Sequence, residues 1–192
     1  EIDLWRQAPC SLAAAQMNDT AARQLLSEII ASGELPLELG FASDMGRSGL
    51  EGLGDELVAV GEDLEPELQI AVATAALMLG ASEGEDTFKR ALSDTNIEQQ
   101  LEALDFLLTL PPALSVDLLR RAGGSVKTSA RLALVELGEE EPEQAVQSLL
   151  ALDRETRAEA TRAIGGWLGQ QSGGARRMVR LCQDALVESL QD

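Results

Sequence analysis

Apolar positions repeat along this chain with helical spacing, and one helical segment returns about every thirty residues. Residues 68–80 read LQIAVATAALMLG, residues 126–138 read VKTSARLALVELG and residues 157–169 read RAEATRAIGGWLG. A looser copy, IEQQLEALDFLLTL, occupies 97–110. Each copy is rich in small residues and closes on Leu-Gly or Leu-Pro. The closing markers Gly80, Pro111, Gly138 and Gly169 give a period of roughly 27–31 residues. Two-helix repeats of that length stack into solenoids, because a single pair cannot bury its apolar face alone.

No run alternates as a strand would over any useful length, so the whole chain reads as helix. In the N-terminal third, helices are predicted at 11–17, 21–31 and 36–43. Gly46, Gly49, Gly52 and Gly54 loosen the next stretch, although Leu50, Leu53, Leu57, Val58 and Val60 still give it an apolar face. From residue 65 the pattern is cleaner, with predicted pairs at 66–79 and 85–92, 97–110 and 113–122, 126–137 and 142–152, and 155–168 and 175–190. Pro66, Pro112 and Pro142 stand at or near helix starts, where a missing N–H costs little. Asn18, Asp19, Thr20, Asp94, Ser125 and Asp153 are candidate N-caps. Turns this short force neighbouring helices antiparallel. The predicted fold is all-α: an α–α superhelix, or solenoid, of stacked antiparallel helix pairs. Residues 1–64 form its divergent N-terminal repeats and 65–192 the regular part of one continuous array.

Composition refines this picture. Hydrophobic residues make up 45% and aromatics 3%, so the core is built from Leu, Ala, Val and Ile in closely packed helices. The formal charge of -18 repels phosphate backbones and anionic membrane surfaces, which argues against nucleic acid as a partner. It permits a basic protein partner, and it also serves solubility. With only Lys89 and Lys127 as lysines, the acid excess also fits adaptation to salt. The acid is concentrated: no basic residue lies between Arg47 and Lys89, a stretch that holds Glu51, Asp55, Glu56, Glu62, Asp63, Glu65, Glu67, Glu83, Glu85 and Asp86. Cys10 and Cys182 stand near opposite ends of the sequence and are expected as two free thiols, since a disulfide needs Cα atoms within about 7 Å. No stretch is long and apolar enough to span a bilayer. The chain begins at Glu1 rather than Met, so a processed or excised piece is expected, and its compartment is left open.

The spacing of Val126, Ala130, Ala133, Leu134, Leu137 and Gly138, repeated by Leu68, Val72, Ala75, Ala76, Leu79 and Gly80, resembles the HEAT repeat. The last copy follows with a shift of one, at Ala160, Ala163, Ile164 and Leu168. The resemblance covers about 65–192 well and 18–64 poorly. A HEAT first helix often carries Arg near its start; Arg157 fits, whereas 68–80 has no Arg. The resemblance implies that the second helices line a concave face that binds a protein. On this chain that face draws on Glu85, Asp86, Lys89 and Arg90, then Asp117, Arg120 and Arg121, then Glu143, Gln144 and Gln147, and finally Arg176, Arg177 and Arg180. Pairing of the arginines with neighbouring acids, such as Glu141 or Asp184, is the alternative to an anion-binding strip.

The sequence has no histidine, which removes Ser-His-Asp and Cys-His nucleophile systems and His-ligated metals. It has no CxxC, P-loop or GxSxG, and GxxGxG at Gly49, Gly52 and Gly54 has the wrong order for a dinucleotide loop. Neither cofactor nor metal is expected. The expected function is a non-catalytic scaffold or adaptor that binds a protein partner. The alternatives are an acidic inhibitor or immunity-type protein for a basic partner, and a HEAT-like enzyme or enzyme subunit of the bilin-lyase type.

Overall fold

A computed structural model describes residues 7–32, 39–61, 64–141 and 144–145. Among them every regular element is helical: α1 (Ala8–Gln16), α2 (Thr20–Ala31), α3 (Leu39–Arg47), α4 (Gly54–Gly61), α5 (Pro66–Met78), α6 (Gly84–Leu92), α7 (Ile97–Thr109), α8 (Pro112–Arg121) and α9 (Lys127–Glu136). A 3-10 turn, Gly124–Val126, leads into α9. The chain divides into two compact units, Glu1–Leu118 and Leu119–Asp192. Most of the predicted helix at 142–152, and those at 155–168 and 175–190, lie outside the described residues, as do Gly169 and Cys182.

Local chemistry sets the helix ends. Gly80 closes α5 at φ +91°: its N–H donates to Leu77 O, and Ala81 N–H donates to Ala76 O at 2.9 Å. Gly138 closes α9 in the same way at φ +74°, with Gly138 N–H on Val135 O and Glu139 N–H on Leu134 O at 2.8 Å. Both are Schellman closures, in which a left-handed residue lets two orphan carbonyls find donors. The two Leu-Gly endings thus perform one structural task. Asn18 plays the glycine's part after α1, at φ +66°. The Asp19 carboxylate then accepts from Ala21 N–H (2.9 Å) and Ala22 N–H (3.1 Å), opening α2. At α7 the N-cap is Asn96, which accepts from Glu98 N–H at 3.0 Å. The expected cap, Asp94, instead accepts from Asn96 N–H at 2.8 Å and shapes the turn before it. Ser125 lies inside the 3-10 turn.

The first unit is organised round α5, which packs against α3 and α4 before it and α6 and α7 after it. Every residue of 70–77 is buried. The repeat positions Val72, Ala75, Ala76 and Leu79 mark one face of this helix; the structure buries the other as well. Val72, Ala75, Ala76 and Leu79 join Leu12, Leu26, Ile29, Met45, Leu53 and Leu57 in one cluster, while Ile70, Ala71, Ala73 and Leu77 are buried as well. The hydroxyl of Thr74 is satisfied inside this environment by donating to Ile70 O at 2.8 Å. A helix that is apolar all round is stable only when it is enclosed. Burying a side chain of the size of Ile70, Val72 or Leu77 contributes up to about 1.5–3 kcal/mol. The core crosses position 64/65, so α1–α4 and α5 bury one another's apolar surface.

Glycines permit this enclosure. A Cβ on Gly46 of α3 would lie 3.0 Å from Ala75 Cα, one on Gly54 of α4 2.8 Å from Ala81 Cβ, and one on Gly84 of α6 2.8 Å from Ala73 O. The backbones approach more closely than any side chain would allow. The glycine-rich stretch that reads as loosened is therefore partly a packing device. α2 is tied to α4 by Ser27 Oγ donating to Glu56 Oε2 at 2.7 Å, and to the turn before α4 by the Arg23 guanidinium donating to Glu51 O.

Candidate partner-binding faces

Of the expected partner-binding residues, Glu85, Asp86, Lys89 and Arg90 sit together on α6. Gly84 opens this helix, Phe88 and Leu92 anchor it in the interior, and the charged residues face outward. Acids occupy its first turn and bases its last, which complements the helix dipole. Lys89 Nζ lies 2.8 Å from Asp86 Oδ1 and 3.2 Å from Glu85 Oε2. The hydrogen bond and charge of Lys89 hold the Asp86 carboxyl below its usual range, and the two carboxylates raise the Lys89 ammonium above its own. These three charges are solvent-exposed and mutually satisfied. Arg90 donates to Thr87 Oγ1 at 3.3 Å.

Asp86 and Arg90 also border a cleft of about 220 Å³ between α4, α5 and α6, whose walls include Val58, Gln69, Glu83 and Thr87. Gln69 is turned by its own hydrogen bond, from Nε2 to Leu64 O at 2.7 Å. Sequence reasoning did not bring Gln69, Glu83 and Thr87 to this place. Gln69 stands on a first helix, and only the tertiary approach of α5 to α6 joins it to the others.

A second group surrounds the turn after α8. Arg120 pairs with Glu139 at 3.0 Å and Arg131 with Glu140 at 2.7 Å. With Leu119, Ala122, Lys127 and Leu134 they line a cleft of about 290 Å³ in the second unit. The acid that meets Arg120 is Glu139, two positions before the expected Glu141. Asp117 and Arg121 are exposed on α8, and Gln144 is exposed beyond α9. Gln147, Arg176, Arg177 and Arg180 lie outside the described residues, as does Glu143. The α6 residues thus lie together in the first unit, and within the second unit Arg120 lies beside residues that follow α9.

Sequence reasoning missed a third surface. α7 buries Gln100, Ala103, Leu104 and Leu107, yet Ile97, Leu101 and Leu108 are 53%, 45% and 51% exposed. The signal was available: the apolar arc of 97–110 is wider than one buried stripe needs. Glu102, on the same helix, has its carboxyl raised above the usual range by partial burial, with the charges of Glu67 and Asp105 adding to the effect.

Among the described residues no group of three or more His, Cys, Asp or Glu side chains is arranged to hold a metal ion. No helix of the described residues is long and apolar enough to cross a membrane. Cys10 is an exposed free thiol. Comparison of the chain with protein-family models, with curated proteins and with solved structures found no match.

Proposed function

We propose that this chain is a non-catalytic scaffold or adaptor of HEAT-like helix pairs that engages a protein partner. The packing order around α5 carries this reading. α5 touches the next first helix, α7, as well as its own partner α6, and it touches α3 and α4 of the pair before it. Contact between successive first helices is what stacked pairs produce. The repeated Schellman closure at Gly80 and Gly138 supports the same reading, because equivalent positions end equivalent helices.

The partner in this reading is a basic protein. The chain carries -18, of which -13 falls in residues 1–96, with 18 acids against 5 bases. Complementary charge speeds encounter and selects the partner, and the attraction weakens as salt screens it. The expected face on the second helices includes Glu85, Asp86, Lys89 and Arg90. Affinity capture from the native cell extract at low and high salt, with bound proteins identified by mass spectrometry, tests the proposal. A stoichiometric basic protein released by salt is expected; capture of no protein at either salt contradicts it.

A further inference from the structure

We propose that the outer face of α7 is a docking surface for a cationic amphipathic helix, an inference that rests on the scaffold reading and names its contact. Ile97, Leu101 and Leu108 are each about half exposed. At about 100° per residue they fall within roughly 40° of one another round the helix axis, a lane about three turns long. Their neighbours on one side are Leu104 and the buried face of α7. On the other side come Asp105, Glu98 and Glu102, and Glu67 of α5 acts electrostatically on Glu102. The surface therefore has an apolar lane beside an acidic lane.

Among the described residues the acidic lane has no counter-charge in an ion pair. None of those ion pairs involves Glu67, Glu98, Glu102 or Asp105: Lys89 of α6, Arg120 of α8 and Arg131 of α9 each meet acids of their own surroundings. Like charges held close and unpaired favour a cation from outside. The lane geometry selects its form. A helix presents apolar residues at i, i+4 and i+7 as one stripe, and lysines or arginines at adjacent positions fall alongside it. Such a helix would cover the three exposed side chains and set its cations on the acidic lane. A second copy of this chain fits poorly, because it would bring two acidic lanes into one interface.

The test uses the full chain and a synthetic peptide of about eighteen residues, long enough to cover α7. The peptide carries Leu at i, i+4, i+7 and i+11, with Lys flanking the stripe. Its binding is followed by titration calorimetry and by backbone amide shifts in NMR. Binding centred on α7 is expected. L101D/L108D should weaken it at least tenfold, and E98Q/E102Q/D105N should weaken it several-fold at low salt and little at high salt. Circular dichroism of both variants confirms that they fold. If the peptide's shifts centre on α6 instead, the α7 assignment is overturned while the scaffold reading stands. No binding, or binding indifferent to both variants, overturns it as well. Sedimentation showing a dimer abolished by L101D/L108D would assign the face to a second copy and likewise overturn the proposal.

Discussion

Replacing Gly84 with Ala puts the enclosed position of α5 to a quantitative trial. The added methyl carbon would stand 2.8 Å from the carbonyl oxygen of Ala73 and 3.0 Å from Leu77 Cγ. Leu77 can turn a little, but the Ala73 carbonyl belongs to the middle of α5 and cannot. To restore ordinary contact, α6 must retreat by roughly half an ångström. Forcing a methyl into a filled interior costs about 1–3 kcal/mol. Against this, Ala gains at most ~1 kcal/mol over Gly in helix propensity, and less at the first residue of a helix. The balance is a loss of about 1–2 kcal/mol. For a chain of this size that lowers Tm by roughly 2–8 °C. Gly123→Ala is the matched control: nothing lies within 4 Å of its added Cβ, and its backbone is extended at φ -119°. It should leave stability unchanged or raise it by up to about 1 kcal/mol, by restricting the unfolded chain. Urea unfolding followed by far-UV circular dichroism reads both variants. If Gly84→Ala is as stable as Gly123→Ala, the close seating of α6 on α5 is wrong.

Other substitutions examine the ends and the surface. Gly80→Ala and Gly138→Ala each place a side chain at positive φ, and each should cost about 1–2 kcal/mol in urea unfolding although the surrounding space is open. Asp19→Ala removes the carboxylate that accepts two N–H groups at the start of α2 and should cost about 1 kcal/mol by the same assay. The raised Glu102 carboxyl binds a proton more readily in the folded chain than in the unfolded one, so its charged form weakens folding. Glu102→Gln should therefore be slightly more stable than the parent at neutral pH. That advantage should vanish as pH falls through and below the usual carboxylate range, which a pH series of thermal melts would show.

The helical class and most helix positions were legible because they rest on local rules. Apolar periodicity located α2, α5 and α7, and Leu-Gly marked the ends of α5 and α9 because only a residue tolerant of positive φ closes a helix that way. Asp19 was readable as a cap for the same local reason. Tertiary facts were less legible. The chemically similar glycines between 46 and 54 divide into two kinds: Gly46 and Gly54 admit a neighbouring backbone, while Gly49 and Gly52 turn the chain at positive φ. Nothing in their local sequence separates these roles. The enclosure of α5 was half visible, since no charged residue occurs between Glu67 and Glu83. A repeat pattern directs attention to one stripe and hides the other. At the candidate faces, the sequence placed the α6 charges on one helix but could not show that Lys89 is already occupied by Glu85 and Asp86. It overlooked Ile97, Leu101 and Leu108 because apolar residues in a helical pattern are read as interior.

α5 is the enclosed helix of the first unit, packed against α3, α4, α6 and α7, while the charged side of α6 and the Ile97, Leu101 and Leu108 side of α7 stay exposed. Hydrogen exchange of the folded chain, read peptide by peptide by mass spectrometry, tests this directly. The amides of 70–79 should exchange most slowly among the described residues, with the ends of α6 and α7 opening first. Exchange of 70–79 as fast as that of α2 or α7 would contradict it.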